Sequence, residues 1–223
     1  MEISNTEENY LKAIYTISKL NSGAGVSTNQ LSVLLMNKAG TITEMLKRLA
    51  EKKLINYQKY KGVLLSSKGE KIAVKIVRKH RLWEVFLLEK LGFKWDEVHD
   101  IAEQLEHIQS DELIDRLDLF LGKPKFDPHG DPIPDAKGQI NNIKAKPLSE
   151  FSTKGNFILT GVCEHSKMFL QYISSLGLKI GDTIKVEEIN KFDNSYLIKM
   201  KRKNSHFLSN KVALNLLVEP QAK

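Results

Sequence analysis

Two short apolar-periodic segments separated by a single turn constrain this chain more than any other feature. Ser27-Thr28-Asn29-Gln30 has the form of a capping box, in which the Ser hydroxyl and the Gln side chain satisfy each other's free amides, and Leu31, Leu34 and Leu35 follow it. Lys38-Ala39-Gly40 reads as a turn, and Thr41-Ile42-Thr43-Glu44 offers a second capping box. Ile42, Met45, Leu46 and Leu49 then recur at i, i+3, i+4 and i+7, the spacing of one helical face. A leading helix is predicted from Thr6-Glu7-Glu8, acids suited to a helix N-terminus, through Leu11, Ile14, Tyr15 and Ile17 to the break at Gly23-Ala24-Gly25. Leu54-Ile55-Asn56-Tyr57 and Val63-Leu64-Leu65 read as strands joined through Lys59-Tyr60-Lys61-Gly62. Residues 1–74 are therefore expected to form a winged helix-turn-helix.

The periodicity stays helical to about residue 121 and then changes. A long helix is predicted from the cap Ser67-Lys68-Gly69-Glu70 to near Gly92, with further helices over Trp95–Gln109 and Asp111–Leu121. Pro124 to Gly138 is rich in Pro and Gly and reads as a loop, which closes a helical domain of residues 75–140. A polar linker, 141–150, follows. Residues 151–223 carry short strands at Phe157–Leu159, Thr183–Ile189, Tyr196–Met200 and Phe207–Leu208, and one helix near Ser166–Leu176. They predict a small SH3-like β-barrel. The fold class is α+β: winged helix-turn-helix, all-α middle domain, C-terminal barrel.

Charge is distributed by domain. Residues 1–75 carry 12 Lys and Arg against 6 Asp and Glu, residues 76–140 carry 9 against 14, and residues 141–223 carry 13 against 7. A basic first third suits a polyanion and an acidic middle suits cations, although such swings also arise on plain solvated surface. No apolar stretch approaches the ~20 residues of a membrane helix. Cys163 stands alone, so no intrachain disulfide forms. The N-terminus is polar and acidic rather than signal-like. These features predict a cytoplasmic protein without a membrane partner.

The strongest local signal is His99, Glu103, Glu106 and His107, at i, i+4, i+7 and i+8 on one predicted helix. His80 and Glu84 form an i, i+4 pair on the preceding one. Any single pair of this kind is more often a solvated helix face. Six in register on neighbouring helices point to a shared cation, because stacked carboxylates repel unless neutralised. Imidazole plus carboxylate suits Mn²⁺, Fe²⁺, Co²⁺, Ni²⁺ or Zn²⁺. His129 and His206 read as structural or exposed, and Cys163 as a small buried apolar residue. Trp83 and Trp95 read as core or interface residues.

The runs Arg78-Lys79-His80-Arg81-Leu82-Trp83-Glu84, Val98-His99-Asp100 through Glu106-His107, and Pro128-His129-Gly130-Asp131-Pro132-Ile133-Pro134 resemble signature segments of the diphtheria-toxin-repressor family. The winged helix before them and the barrel after them match in order. The resemblance implies two metal sites per subunit: an ancillary one from His80, Glu84 and His99, and a primary one from Glu103, Glu106 and His107 with Asn9 of the first helix. It also implies that Glu164, or else its neighbour His165, lends a barrel ligand to the ancillary site. Glu103 stands where iron-responsive members typically place Cys, and hard oxygen favours Mn²⁺ over Fe²⁺. Asn9 stands where manganese-responsive members usually place Asp, and Lys12 where some add Glu, which pulls the other way. Asp127 and Asp131 replace the neutral residues that hold an anion beside Arg81 in some members, so Asp131 is expected to pair with Arg81 instead.

The helix from Thr41 is then the expected recognition helix. It presents Thr41, Thr43, Glu44 and Lys47 to base edges, while Lys38, Lys47, Arg48, Lys59 and Lys61 meet phosphates. The expected partner is a palindromic double-stranded operator bound by a homodimer. No catalytic residue is assigned. A di-metal carboxylate enzyme would need a second Glu-x-x-His near His80, which the chain lacks. A metal-independent winged-helix regulator is the alternative reading.

Overall fold

The computed structural model describes residues 3–21, 24–58, 62–140, 144–200 and 205–221, and it divides into two compact units. The first comprises residues 1–80, 103–116 and 134–139, and the second residues 81–102, 117–133 and 140–223.

In the first unit, α1 (Asn5–Leu20) starts at Ser4, whose side chain accepts from the Glu7 amide while Glu7 reaches back to the Ser4 amide. Ser27 and Gln30 form the expected box at the head of α2 (Thr28–Leu34). Helix α3 (Ala39–Glu51) starts two residues earlier than the sequence reading placed it: Lys38 is the N-cap and has no side-chain cap. Thr41 therefore lies inside the helix, and the Thr43 hydroxyl donates to the Ala39 carbonyl at 2.9 Å. Strands β1 (Ile55–Gln58) and β2 (Gly62–Leu65) pair antiparallel, and Val26 adds a bridge to Val63. Leu11, Ile14, Leu31, Ile42, Leu46, Leu49, Leu54 and Val63 are fully buried, so the i, i+3, i+4 apolar rows of the helices are what close this core. The hairpin tip carrying Lys59 and Lys61 lies outside the described residues.

Helix α4 (Ser67–Leu91) opens on Ser66, whose hydroxyl oxygen accepts from the Gly69 amide at 3.1 Å. Helix α5 is shorter than predicted, Val98–Leu105, with Trp95–Glu97 and Glu106–His107 in turns at its two ends. Helix α6 (Asp111–Phe120) starts at Ser110, whose hydroxyl accepts from the Leu113 amide.

The second unit includes a six-stranded antiparallel sheet in the order β3-β8-β4-β5-β6-β7, made by β3 (Lys146–Pro147), β4 (Gly155–Val162), β5 (Thr183–Ile189), β6 (Tyr196–Met200), β7 (Ser205–Leu208) and β8 (Leu216–Pro220). Helix α7 (Lys167–Ser175) and a short turn of helix, α8 (Asn210–Ala213), complete it. The expected barrel is an open sheet among the described residues, since no pairing joins β3 to β7. Strand β8 and helix α8 went unread in the sequence. So did β3 and Leu148, assigned to a polar linker; Leu148 is fully buried in the sheet's core. Alternation in β6 puts Tyr196, Ile198 and Met200 on that core.

One loop is pinned to the sheet where β4 bulges between Leu159 and Gly161. The Val162 amide donates to the His129 carbonyl at 2.9 Å. Gly130, at φ +90°, packs so closely that a Cβ there would lie 2.2 Å from the Thr160 carbonyl oxygen. Gly130→Ala should therefore lower stability by about 1–3 kcal/mol, read as the denaturant midpoint at unchanged m-value.

Candidate metal centres

Each unit carries its own cluster of imidazoles and carboxylates. In the first, Glu106 is completely buried in the turn after α5. Its Oε2 lies 2.7 Å from His80 Nδ1 on α4 and accepts from Lys12 Nζ on α1 at 2.8 Å. Lys12 Nζ also donates to Glu103 Oε1 at 2.5 Å. Glu106 Oε1 is buried with no hydrogen-bond partner, and so is Asn9 Oδ1. His107 Nδ1 lies 2.6 Å from Glu8 Oε2, which leaves Nε2 on the other side of the ring, 4.0 Å from Glu106 Oε1. Gln109 donates to the second oxygen of Glu8 at 2.9 Å.

This arrangement fits a divalent cation. Two orphaned buried oxygens are costly unless something positive or hydrogen-bonding meets them. An imidazole whose far nitrogen is tied to a carboxylate is the usual form of a metal-ligating His. Glu8 is a site residue that the sequence reading missed. Its helical spacing to Lys12, i to i+4, was available, but Glu8 had been read only as a first-turn acid.

Of the three residues that the resemblance assigns to the ancillary site, His80 makes a short contact to Glu106, and Glu84 and His99 lie together in the second unit's cluster. There the two oxygens of Glu84 face two imidazoles: Oε1 is 3.4 Å from His99 Nδ1 and Oε2 is 3.5 Å from His129 Nδ1. Glu84, Asp127 and His129, all buried, each offer one ligand atom within 4.8 Å of the others. His129 Nε2 donates to the Trp95 carbonyl at 2.8 Å, so Nδ1 is the nitrogen that faces Glu84. Nothing local in a Pro-rich loop signals that His129 folds back onto α4.

The charges around this cluster are tightly balanced. Burial pushes the Asp127 carboxyl up, the charges of Glu84 and Asp131 push the same way, and Arg81 and His129 only partly oppose them, leaving it at about 7. Burial alone would lower His129, but its hydrogen bond to Glu84 and the Glu84 charge outweigh that and raise it to about 9. Arg81 is held by three acceptors: the Pro132 carbonyl at 2.6 Å, Asp131 at 3.0 Å and Asp127 at 3.5 Å. His165 stacks on His129 with ring centroids 4.8 Å apart, and burial holds it below its ordinary value. Glu164 is exposed and its Oε1 accepts from the Ser166 amide at 2.8 Å, so of the two candidates from this segment His165 is the one brought to His129. Cys163 is exposed, contrary to its expected burial. Trp95 packs against the sheet's core, and its indole donates to Ser174.

On the face expected to meet DNA, Lys38, Thr41, Glu44, Lys47 and Arg48 are exposed and Thr43 is half-buried. Glu44 and Arg48 pair with each other at 2.7 Å.

Comparison with known proteins decides the family. Residues 2–63 match the iron dependent repressor N-terminal DNA binding domain, 66–135 the iron dependent repressor metal binding and dimerisation domain, and 146–220 the FeoA domain. An HTH-type transcriptional regulator of Methanocaldococcus jannaschii is 37% identical over 123 residues, 55% of this chain and 98% of that protein. The chain belongs to the iron-dependent repressor family. The HTH-type transcriptional regulator MntR of Oceanobacillus iheyensis is 34% identical, covering 49% of this chain and 73% of MntR. The diphtheria toxin repressor of Corynebacterium jeikeium is 28% identical, and the match spans 69% of this chain and 63% of the repressor. Among solved members, a manganese-dependent transcriptional repressor in complex with manganese superposes with TM-score 0.86 at 32% identity, covering 96% of this chain and all of that one. ScaR with bound Zn²⁺ gives 0.79 at 34%, covering 96% and 99%.

Asp127 and His129 both hold their protons more tightly in the folded state than their ordinary values allow. Their contribution to stability is complete below those ordinary values and is lost as pH rises through about 7 for Asp127 and about 9 for His129. Melting of the metal-free protein should accordingly shift to lower temperature across that range, and Asp127→Asn should remove the lower step. A Tm that rises with pH there would contradict the assignment.

Proposed function

We propose that this chain is a homodimeric transcriptional repressor whose affinity for a palindromic operator is set by a divalent ion, Mn²⁺ in preference to Fe²⁺, held by Asn9, Glu103, Glu106 and His107. The observation that carries this is the pair of buried, partnerless oxygens, Asn9 Oδ1 and Glu106 Oε1, beside a His107 ring oriented by Glu8. An ion there supplies positive charge to a donor set of hard oxygens and one imidazole, which suits Mn²⁺ and contains no thiolate. Asn9 and Glu8 belong to α1, which packs on α2 and β2 of the DNA-binding region. Tying α1 to the turn after α5 therefore fixes the helix against which the recognition elements rest. The linkage requires that the ion bind this arrangement better than the alternatives.

Lys38, Lys47 and Arg48 supply phosphate contacts, with Lys59 and Lys61 of the hairpin added as part of the proposal, and Thr41, Thr43 and Glu44 read base edges. The second cluster, Glu84, Asp127 and His129 with His99, is the ancillary site in this reading, and His165 takes the barrel-side place in preference to Glu164. Its His-and-carboxylate donors again fit a divalent ion, and Asp127 and His129 must both give up protons to bind it.

Titration of Mn²⁺ and Fe²⁺ with operator affinity as readout tests the reading. Glu106→Ala should abolish the metal response. Glu8→Gln, which leaves the ligands in place but loosens His107, should weaken Mn²⁺ binding ~10–100-fold. Operator affinity indifferent to every divalent ion would favour a metal-independent winged-helix regulator instead.

Dimerisation is placed on the apolar surface shared by the C-terminal halves of α4 and α6. Phe86 and Phe120 touch there with centroids 6.4 Å apart, while Leu119 and Phe120 are 67% and 65% exposed. Exposure of this size at adjacent positions is costly in a monomer. Leu119→Asp should yield a folded monomer by sedimentation, with operator affinity lost; a dimer that survives it would move the interface elsewhere.

A further inference from the structure

Strand β7 ends the sheet of the second unit. It pairs with β6 on one side, and among the described residues no strand pairs with its other side. Ser205, His206, Phe207 and Leu208 make no backbone hydrogen bond outside that ladder among the described residues, so the amides and carbonyls of β7 that point away from β6 have no protein partner. Such an edge is a template for a further strand, and proteins commonly blunt it with a charge, a proline or a bulge. The opposite edge is blunted in this way: β3 is only Lys146 and Pro147. Strand β7 is not. It carries no Lys, Arg, Asp, Glu or Pro, and its register with β6 runs unbroken from Tyr196↔Leu208 to Lys199↔Ser205.

The side chains beside this edge have a definite character. Leu208 faces the core, while Phe207 stands on the outer face opposite Leu197 and is 71% exposed. Phe192, 96% exposed, lies in the turn from β5 to β6, at the end of the sheet where Phe207 stands. Two aromatic rings left in water beside an open edge mark an interaction surface. The charge there has one sign. From Ser195 to Val218 the sequence holds five Lys and Arg and no Asp or Glu, three of the five lying outside the described residues. Lys199 shares the outer face with Phe207, and Lys185 of β5 is its cross-strand neighbour. The acids Glu187 and Glu188 lie on β5, two strands in from the edge, and Glu187 is engaged with Lys185 and Ser205, each at 3.3 Å.

We propose that β7 takes up an extended acidic segment of a partner protein as an added strand of this sheet. The free backbone edge supplies the hydrogen bonds, Phe207 meets an apolar side chain of the incoming strand on the outer face, and the acid-free basic stretch selects a segment rich in Asp and Glu. A second copy of this chain is a poor occupant, because its own β7 would bring the same positive stretch against this one. Nucleic acid has no backbone amides with which to continue a β-ladder, so the open edge favours a peptide over a polyphosphate. The surface lies wholly within the second unit and does not depend on the metal-centre reading. It gives the FeoA-like sheet a recruiting role beside its structural one.

The test selects from a display library of random short peptides on the full-length protein, with Phe207→Asp as the counter-selection target. Enriched peptides are then measured by fluorescence anisotropy, and their footprint is read by amide hydrogen exchange. The selected sequences should be rich in Asp, Glu and β-branched residues and poor in Pro. They should bind wild type at least ~10-fold more tightly than Phe207→Asp, and the affinity should fall as salt rises. Phe207→Thr, which keeps a strand-forming residue at this exposed position, should lose affinity too while melting like wild type, and Lys199→Glu should weaken binding in the same direction. On binding, exchange should slow at β7 and stay unchanged at β3. A selection that returns no acidic sequence would overturn the proposal, as would peptides that bind all variants equally or leave β7 exchange unaltered. A short single-stranded oligonucleotide or vesicles of anionic phospholipid that bind through Phe207 when no peptide does would overturn it as well, and would reassign the surface.

Discussion

A carboxylate shut away from water destabilises a protein unless its charge is met, and Glu106 is fully shut away. Lys12 and His80 meet one of its oxygens, from α1 and α4, while the other has no hydrogen-bond partner. Around this one group the first unit converges, because α1, α4 and the turn after α5 can supply those contacts only in a particular placement. The placement of the DNA-binding region's first helix depends on that constraint. Its leading helix is held at one end by Glu7 and Lys52, 2.7 Å apart, and along its inner face by whatever satisfies Glu106.

The second cluster works on a different balance. Glu84 stands between two imidazoles, and Asp127 accepts the amides of His129 and Asp131 through a single oxygen. These bonds shape the loop from Asp127 to Asp131, while Gly130 presses it onto the bulge of β4. A Cβ at that position would collide with strand backbone, so the close approach that brings His129 to Glu84 depends on a glycine. The FeoA-like sheet thus does structural work for a cluster on the helices of its own unit.

The relatives sharpen the chemistry. Solved neighbours hold manganese or zinc, and what distinguishes sites for such ions is donor type and local charge. In this chain the local charge includes an ammonium on the two carboxylates nearest α1. That makes Lys12 the residue by which this centre differs most in its electrostatics from a plain set of acids and imidazoles.

Local patterns were enough for the elements whose cause is local. The capping box at Ser27 and the apolar row Ile42, Leu46 and Leu49 determined the helix-turn-helix, because short-range hydrogen bonds and helical periodicity are written in adjacent residues. The i, i+4 spacing of His80 with Glu84 and of His99 with Glu103 likewise marked both helices as bearers of chemistry. Tertiary structure alone decided the partners. It turned Glu106 toward Lys12 and His80, drew Glu84 to His129 across more than forty residues of chain, recruited Glu8 to orient His107, and left Glu164 in solvent. It also ended α5 at Leu105, so that Glu106 and His107 lie in the turn that follows it. The reason is that a hydrogen bond to a buried charge is chosen by whichever donor the packed core delivers to it, and sequence separation carries no record of that.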